Sequence, residues 1–178
     1  NYILRSVPEG ASIAIAHDSR NQSDFFAKVA ADVMAGNGIE VHLFSALRPT
    51  PQLSFSVRHL NCTAGIVVTA SHNPKEYNGY KVYWSDGGQI VPPHDAGIIA
   101  EVRAVAGPDQ VKWGSDSVAQ ERIHWLGKEA DNAYLQTVLD LRLSDALRSG
   151  GSDLSIVYTP LHGTGSVSVI PALAAAGF

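Results

Sequence analysis

Apolar residues in this chain fall first into short unbroken runs and then into helical spacing, and the two patterns take turns. Residues 12–16 (SIAIA) are a run too short for a helix and bounded by polar residues, which predicts a buried strand. His17, Asp18, Ser19 and Arg20 form the loop after it. Phe25, Phe26, Val29, Ala30, Val33 and Met34 then recur at helical intervals, predicting a helix over 23–36. Ser23 or Asn21 is its candidate N-cap, and Gly36-Asn37-Gly38 ends it with residues that accept positive φ. Residues 39–44 (IEVHLF) predict a second strand. Residues 51–60 predict a second helix, with Thr50 as cap and Pro51 at the first helical position, and 64–69 a third strand. Strand, helix, strand, helix, strand in that order reads as an α/β fold.

Past residue 70 the alternation changes. Residues 79–84 and 88–91 flank Ser85-Asp86-Gly87, a turn suited to a β-hairpin, and antiparallel strands there would make a mostly parallel sheet mixed. A helix is expected near 94–106, loop with short turns over 107–122, and a long helix over 127–147. Ser149-Gly150-Gly151-Ser152 reads as a linker. Beyond it come a strand at 154–158 (LSIVY), a loop at 159–165 and a helix at 166–176, the opening β-α unit of a second domain. The expected architecture is a three-layer α/β/α domain over 1–148, with 152–178 the truncated start of a similar one. Asn1 is not a methionine and the chain stops at Phe178, so it is expected to be part of a longer protein.

Composition narrows the function classes. The chain has 178 residues, of which 45% are hydrophobic, enough for a packed core. Charged residues make up 17% and the formal net charge is −4, which argues against a nucleic-acid-binding domain. No apolar run approaches the length of a membrane span and no signal-like start is present, so no membrane partner is expected and the expected location is cytoplasmic. One cysteine, Cys62, cannot form an internal disulfide and reads as a packing residue.

The chemistry concentrates in residues 65–81, GIVVTASHNPKEYNGYK. An apolar strand runs into small and polar residues, and Pro74 then stops regular structure. That places Ser71 on a tight loop at the end of a buried strand, the edge at which open α/β sheets bind ligands. Ser71, His72 beside it and Lys81 ten positions on form a candidate anion site. Ordinary turn chemistry explains Ser, His, Asn and Pro equally well. His72 is either a phosphate donor or a loop histidine bonded to backbone. Lys81 is either a charge-stabilising group or a solvated lysine beside a strand. Arg20 is either a fork for a phosphate or the partner of an ion pair, with Asp18 or across a domain boundary.

Thr69-Ala70-Ser71-His72-Asn73-Pro74, extended by Lys75, Tyr77, Asn78, Gly79, Tyr80 and Lys81, resembles the active-site loop of the phosphoglucomutase/phosphomannomutase family, the α-D-phosphohexomutases. Ala16 to Arg20 resembles that family's G-x-D-x-R segment, with Ala16 in place of the usual glycine, and Thr159 to Gly165 resembles the start of its second domain. The resemblance implies an isomerase that interconverts sugar 1-phosphate and 6-phosphate through a phosphoserine at Ser71 and a bisphosphate intermediate. It implies catalytic roles for Ser71, Lys81, His72 and Arg20, with Arg20, His72 and Lys81 binding phosphate. It also implies Mg²⁺ held in part through the phosphate on Ser71, and glucose 1,6-bisphosphate or a similar activator. The family's aspartate-rich metal loop has no counterpart in these residues, so the other Mg²⁺ ligands, like the rest of the hexose-phosphate site, are expected from remaining domains of the same protein. Residues 1–178 alone are expected to turn over little substrate. A serine hydrolase and a non-catalytic sugar-phosphate-binding module are the competing readings; the first lacks a G-x-S-x-G elbow.

Overall fold

After a short opening helix, α1 (Tyr2–Ser6), the three apolar runs become adjacent parallel strands: β1 (Ser12–His17), β2 (Glu40–Phe44) and β3 (Ala64–Val68). The computed structural model describes residues 1–142 and 154–178. The strands are parallel because a helix carries the chain back after each, α2 (Ser23–Gly36) after β1 and α3 (Thr50–His59) after β2. β4 (Tyr80–Trp84) pairs antiparallel with β3, and β5 (Ile123–Leu126) pairs parallel with β2. The five-stranded order is β4-β3-β1-β2-β5, a mixed and mostly parallel sheet as expected.

Consecutive strand residues point to opposite faces, and this splits the core in two. Ile13, Ile15, Val41, Leu43, Ile66 and Val68 pack toward α2, while Ala14, Ala16, Phe44 and Val67 pack against Leu53 and Val57 of α3. Three layers result, with the sheet in the middle. Cys62 is buried on the α3 side, where desolvation pushes its thiol up despite an opposing hydrogen bond with Ser12; it is a packing residue, as expected.

The local detail departs from the expected pattern in several places. The buried stripe of α2 is Ser23, Ala27, Ala31 and Ala35, while Phe25 is 60% and Phe26 41% exposed. The α2 cap is Gln22, in left-handed conformation, because the Ser23 hydroxyl is buried and donates to Asp18 instead. In α3 Thr50 is already helical and Pro49 is the cap. The 88–91 arm of the hairpin forms only a single bridge, Tyr83 to Gln89, before Pro92 and Pro93 remove the next two donors. β5 falls where no element was expected, just after α5 (Ser117–Glu121). α4 (His94–Ala104) ends two residues early, and α6 (Lys128–Asp140) is capped at Leu141, while 143–147 of the expected helix lie outside the described residues. The linker expected at 149–152 lies outside the described residues.

Residues 154–158 are not a strand. No neighbour among the described residues pairs with them, Val157 is 99% exposed, and a lone strand has no ladder to hold it. The helix after them does form, as α7 (Ser166–Ala176), and it lies against α6. No helix among the described residues is long and apolar enough to cross a membrane.

Candidate active site

β1 and β3 end side by side. The chain leaves β1 for β2 on one flank while β3 lies on the other, so strand order reverses between them. A crevice opens outside the carboxyl ends of strands at such a point. The Asp18 amide continues the pairing by donating to the Val68 carbonyl at 3.1 Å, which brings the loop after β1 against the loop after β3.

Ser71 sits exposed in this crevice with φ +53°, a left-handed conformation that costs a non-glycine residue about 1–2 kcal/mol. Such a residue persists only where its surroundings hold it. Its amide donates to Thr69 Oγ1 at 3.0 Å, and the Thr69 hydroxyl donates to Asp18 Oδ2 at 2.6 Å. Its own hydroxyl accepts a 2.6 Å hydrogen bond from Lys81 Nζ. The β3–β4 register pairs Lys81 with Val67, which brings the lysine beside the end of the strand that leads to Ser71.

Arg20 is part of the crevice but not as a free fork. Its Nη1 donates to the carbonyls of Pro74 (2.8 Å) and Tyr77 (2.9 Å), and its Nη2 to those of Ser71 (2.9 Å) and Asn73. Its Nε lies 3.4 Å from Asp18 Oδ2. Four of the five guanidinium N–H groups are therefore taken by loop carbonyls, and the fifth, on Nε, faces the Asp18 carboxylate as an ion pair, so in this arrangement Arg20 holds the loop. The physical reason is that the tight turn converges four carbonyls on one side chain, and a guanidinium fork supplies donors in several directions at once. The Asp18 ion pair weighed as the alternative is present. His72 is exposed and forms no hydrogen bond with the described residues, so the backbone contact weighed for it is not made.

Asp18 is the residue that sequence reasoning undervalued. Oδ1 accepts from the Arg20 amide at 2.9 Å and from Ser23 Oγ at 2.7 Å; Oδ2 accepts from Thr69 and faces Arg20 Nε. Ser23 Oγ in turn accepts from Asn78 Nδ2 at 2.8 Å. Asp18 thus ties the β1–α2 loop, the end of β3 and the approach to β4 to one carboxylate. The local spacing of Asp18 and Arg20 was the only signal in the sequence; Thr69 is 51 residues away.

A second polar cluster braces the crevice from behind. Arg48 is 8% exposed and meets Asp131 of α6 through two hydrogen bonds, Nε to Oδ1 at 2.6 Å and Nη2 to Oδ2 at 2.7 Å. Gln52 adds a third to Oδ1 at 2.7 Å. Burial works against ionisation of Asp131, but the bonds from Arg48 and Gln52 and the charge of Arg48 outweigh it and hold the carboxyl below its ordinary range. The Arg48 amide donates to the His17 carbonyl at 3.1 Å, one residue before Asp18.

Comparison with known proteins adds to this geometry. The family model for the phosphoglucomutase/phosphomannomutase α/β/α domain I matches residues 1–107. A "probable phosphoribomutase" of Schizosaccharomyces pombe is 36% identical over 180 residues, covering 97% of this chain and 30% of the relative. A phosphoglucomutase of Staphylococcus epidermidis is 37% identical over 172 residues, covering 96% of this chain and 30% of the relative. A solved structure described as a putative phosphomannomutase from Thermus thermophilus superposes with TM-score 0.79 at 29% identity, covering 99% of this chain and 37% of that one. The chain thus spans about a third of the length of the proteins it matches.

Proposed function

The chain belongs to the phosphoglucomutase/phosphomannomutase family, and from that premise we propose that it is part of a sugar-phosphate mutase in which Ser71 carries the phosphoryl group. The observation that carries the reading is the 2.6 Å contact from Lys81 Nζ to Ser71 Oγ, on an exposed loop at the carboxyl edge of the sheet. In the proposed cycle the resting serine is phosphorylated. A sugar-phosphate hydroxyl attacks that phosphorus, the bond to Ser71 Oγ breaks, and a bisphosphorylated sugar forms. The sugar turns over in the site and returns its other phosphate to Ser71. Catalysis of such a transfer is mostly positioning and neutralisation of the moving charge. Lys81 is placed for both, stabilising the serine oxygen as it leaves and moving the proton of the attacking hydroxyl.

Arg20 enters this proposal as the clamp of the loop rather than as a phosphate ligand, and exposed His72 as a donor available to a bound phosphate. The hexose-phosphate substrate, the bisphosphate activator and a cytoplasmic setting belong to the same reading. So does the division into a first domain over 1–148 and the start of a second at 152–178. Mg²⁺ in this family role would neutralise phosphoryl charge. Among the described residues no group of three or more His, Cys, Asp or Glu side chains is placed to hold a metal. Asp18, the carboxylate near Ser71, is already engaged by Arg20, Ser23 and Thr69. These residues do not by themselves make the metal site; one ligand, the phosphate on Ser71, is proposed.

Incubation of the full-length protein with glucose 1,6-bisphosphate should add one phosphate, mapped to Ser71 by mass spectrometry and absent from Ser71→Ala. Labelling of Ser71 by a fluorophosphonate without phosphate uptake would favour the hydrolase. Hexose-phosphate binding with neither modification would favour the passive module.

A further inference from the structure

We propose that Asp18 is a positioning residue that sets the location of Ser71 Oγ relative to Lys81 Nζ through two separate connections. One runs through the side chain of Thr69 to the Ser71 amide, and the other through Arg20 to the carbonyls of the same loop. The kinetic part of the proposal rests on the mutase reading; the structural part does not.

Three observations carry it. The first is the conformation of Ser71, which is left-handed without being glycine and so must be imposed from outside. The second is how few restraints impose it. The Ser71 amide has one partner, Thr69 Oγ1, and that hydroxyl is oriented by giving its proton to Asp18 Oδ2. The carbonyl side of the loop is held by Arg20, whose Nε faces the same oxygen. The third is the rigidity of the Asp18 carboxylate itself. Oδ1 is held by the Arg20 amide and by the fully buried Ser23 hydroxyl, so the carboxylate is anchored to α2 and cannot follow the loop if the loop moves. An anchored acceptor of this kind converts the packing of α2 on the sheet into a defined place for an exposed side chain.

Asparagine in place of Asp18 sets an amide N–H₂ against donors on one side and removes the charge opposite Arg20, while keeping the volume. The test is made on the full-length protein with Asp18→Asn, Thr69→Val, Thr69→Ser and the double variant Asp18→Asn/Thr69→Val. Hydrogen exchange at the amides of Ser71, Asn73 and Tyr77 is expected to accelerate about tenfold or more in Asp18→Asn and Thr69→Val, with the amide of Val41 in the sheet unchanged. Thr69→Ser, which keeps the hydroxyl, is expected to retain protection.

In turnover, kcat is expected to fall about tenfold or more with KM for the sugar phosphate within about twofold, since misplacement of a reacting group acts on the chemical step. The double variant is expected to be no worse than Asp18→Asn alone, because Thr69 acts only through one of the two connections that Asp18→Asn already breaks. Loop amides that stay protected in Asp18→Asn would overturn the proposal, as would additive effects in the double variant. Uniform loss of protection across the sheet would overturn it too, because Asp18 would then be only a stability residue. If the parent protein shows no mutase turnover, the mutase reading fails while the exchange measurements still decide whether Asp18 holds the loop.

Discussion

Replacing Asp131 by alanine isolates the buried polar brace. The change leaves the Arg48 guanidinium, at 8% exposure, with the Leu47 carbonyl as its remaining partner, and leaves Gln52 Nε2 without its acceptor. Breaking a buried ion pair from one side costs about 3–5 kcal/mol. Asp131 itself keeps 29% of its side-chain surface in water, which places the expected loss at the low end, about 3 kcal/mol. Urea unfolding at pH 7, followed by circular dichroism, measures it.

The sign with pH is fixed by the direction of the Asp131 shift. Its carboxyl is held below the ordinary range in the folded protein, so its contribution is complete above the unfolded value of about 4 and disappears as pH falls through the lower folded value. The gap between parent and Asp131→Ala should therefore close in acid. Arg48→Met/Asp131→Leu, which removes both charges, should come within about 1 kcal/mol of the parent because no unpaired charge remains. A loss under about 1 kcal/mol in Asp131→Ala, or a double variant as weak as the single, would refute the reasoning that the cost lies in stranding Arg48.

Two further outcomes follow from other parts of the molecule. A Cβ at Gly79 would stand 2.5 Å from the Thr69 carbonyl oxygen, a backbone atom that cannot swing away, so Gly79→Ala should destabilise by about 1–3 kcal/mol and lower the thermal midpoint. An unchanged midpoint would mean that the 78–80 segment is free to shift. His42 is held below its ordinary range by burial and then by the charge of His124, against a smaller opposing pull from Glu40. Folding then loses stability as pH drops below about 6.5 toward the folded value, and His42→Gln should flatten that part of the stability–pH curve; equal slopes in parent and variant would show that His42 does not titrate on unfolding.

The central strands were legible because parallel strands covered on both faces must be apolar there, and IAIA and GIVV are. β5 was not legible for the converse reason. At an edge, only Ile123 of Ile123-His124-Trp125-Leu126 needs to be buried, so the run carries no strong pattern. In α2 two stripes share the helical period, and the larger side chains are the conspicuous ones, yet the alanine stripe faces the sheet. Residues 154–158 have the composition of a strand but no neighbour among the described residues to pair with, and pairing is decided by the rest of the fold rather than by the run itself. In the site, the proximity of Ser71 and Lys81 could be anticipated because both lie on the flanks of one β3–β4 connection. The direction of the Arg20 guanidinium could not, since it depends on where four carbonyls of a distant loop turn.

The alanine stripe of α2 has a consequence beyond packing. Helix and sheet meet there through the smallest side chains that still exclude water, so the gap between the two layers has almost no slack. Ser23 opens that same stripe and grips Asp18. Layer thickness is thus a geometric ruler for the crevice: a bulkier residue at Ala27 or Ala31 would lift the helix, carry the carboxylate with it, and retune the chemistry at a distance without touching any group that meets the substrate.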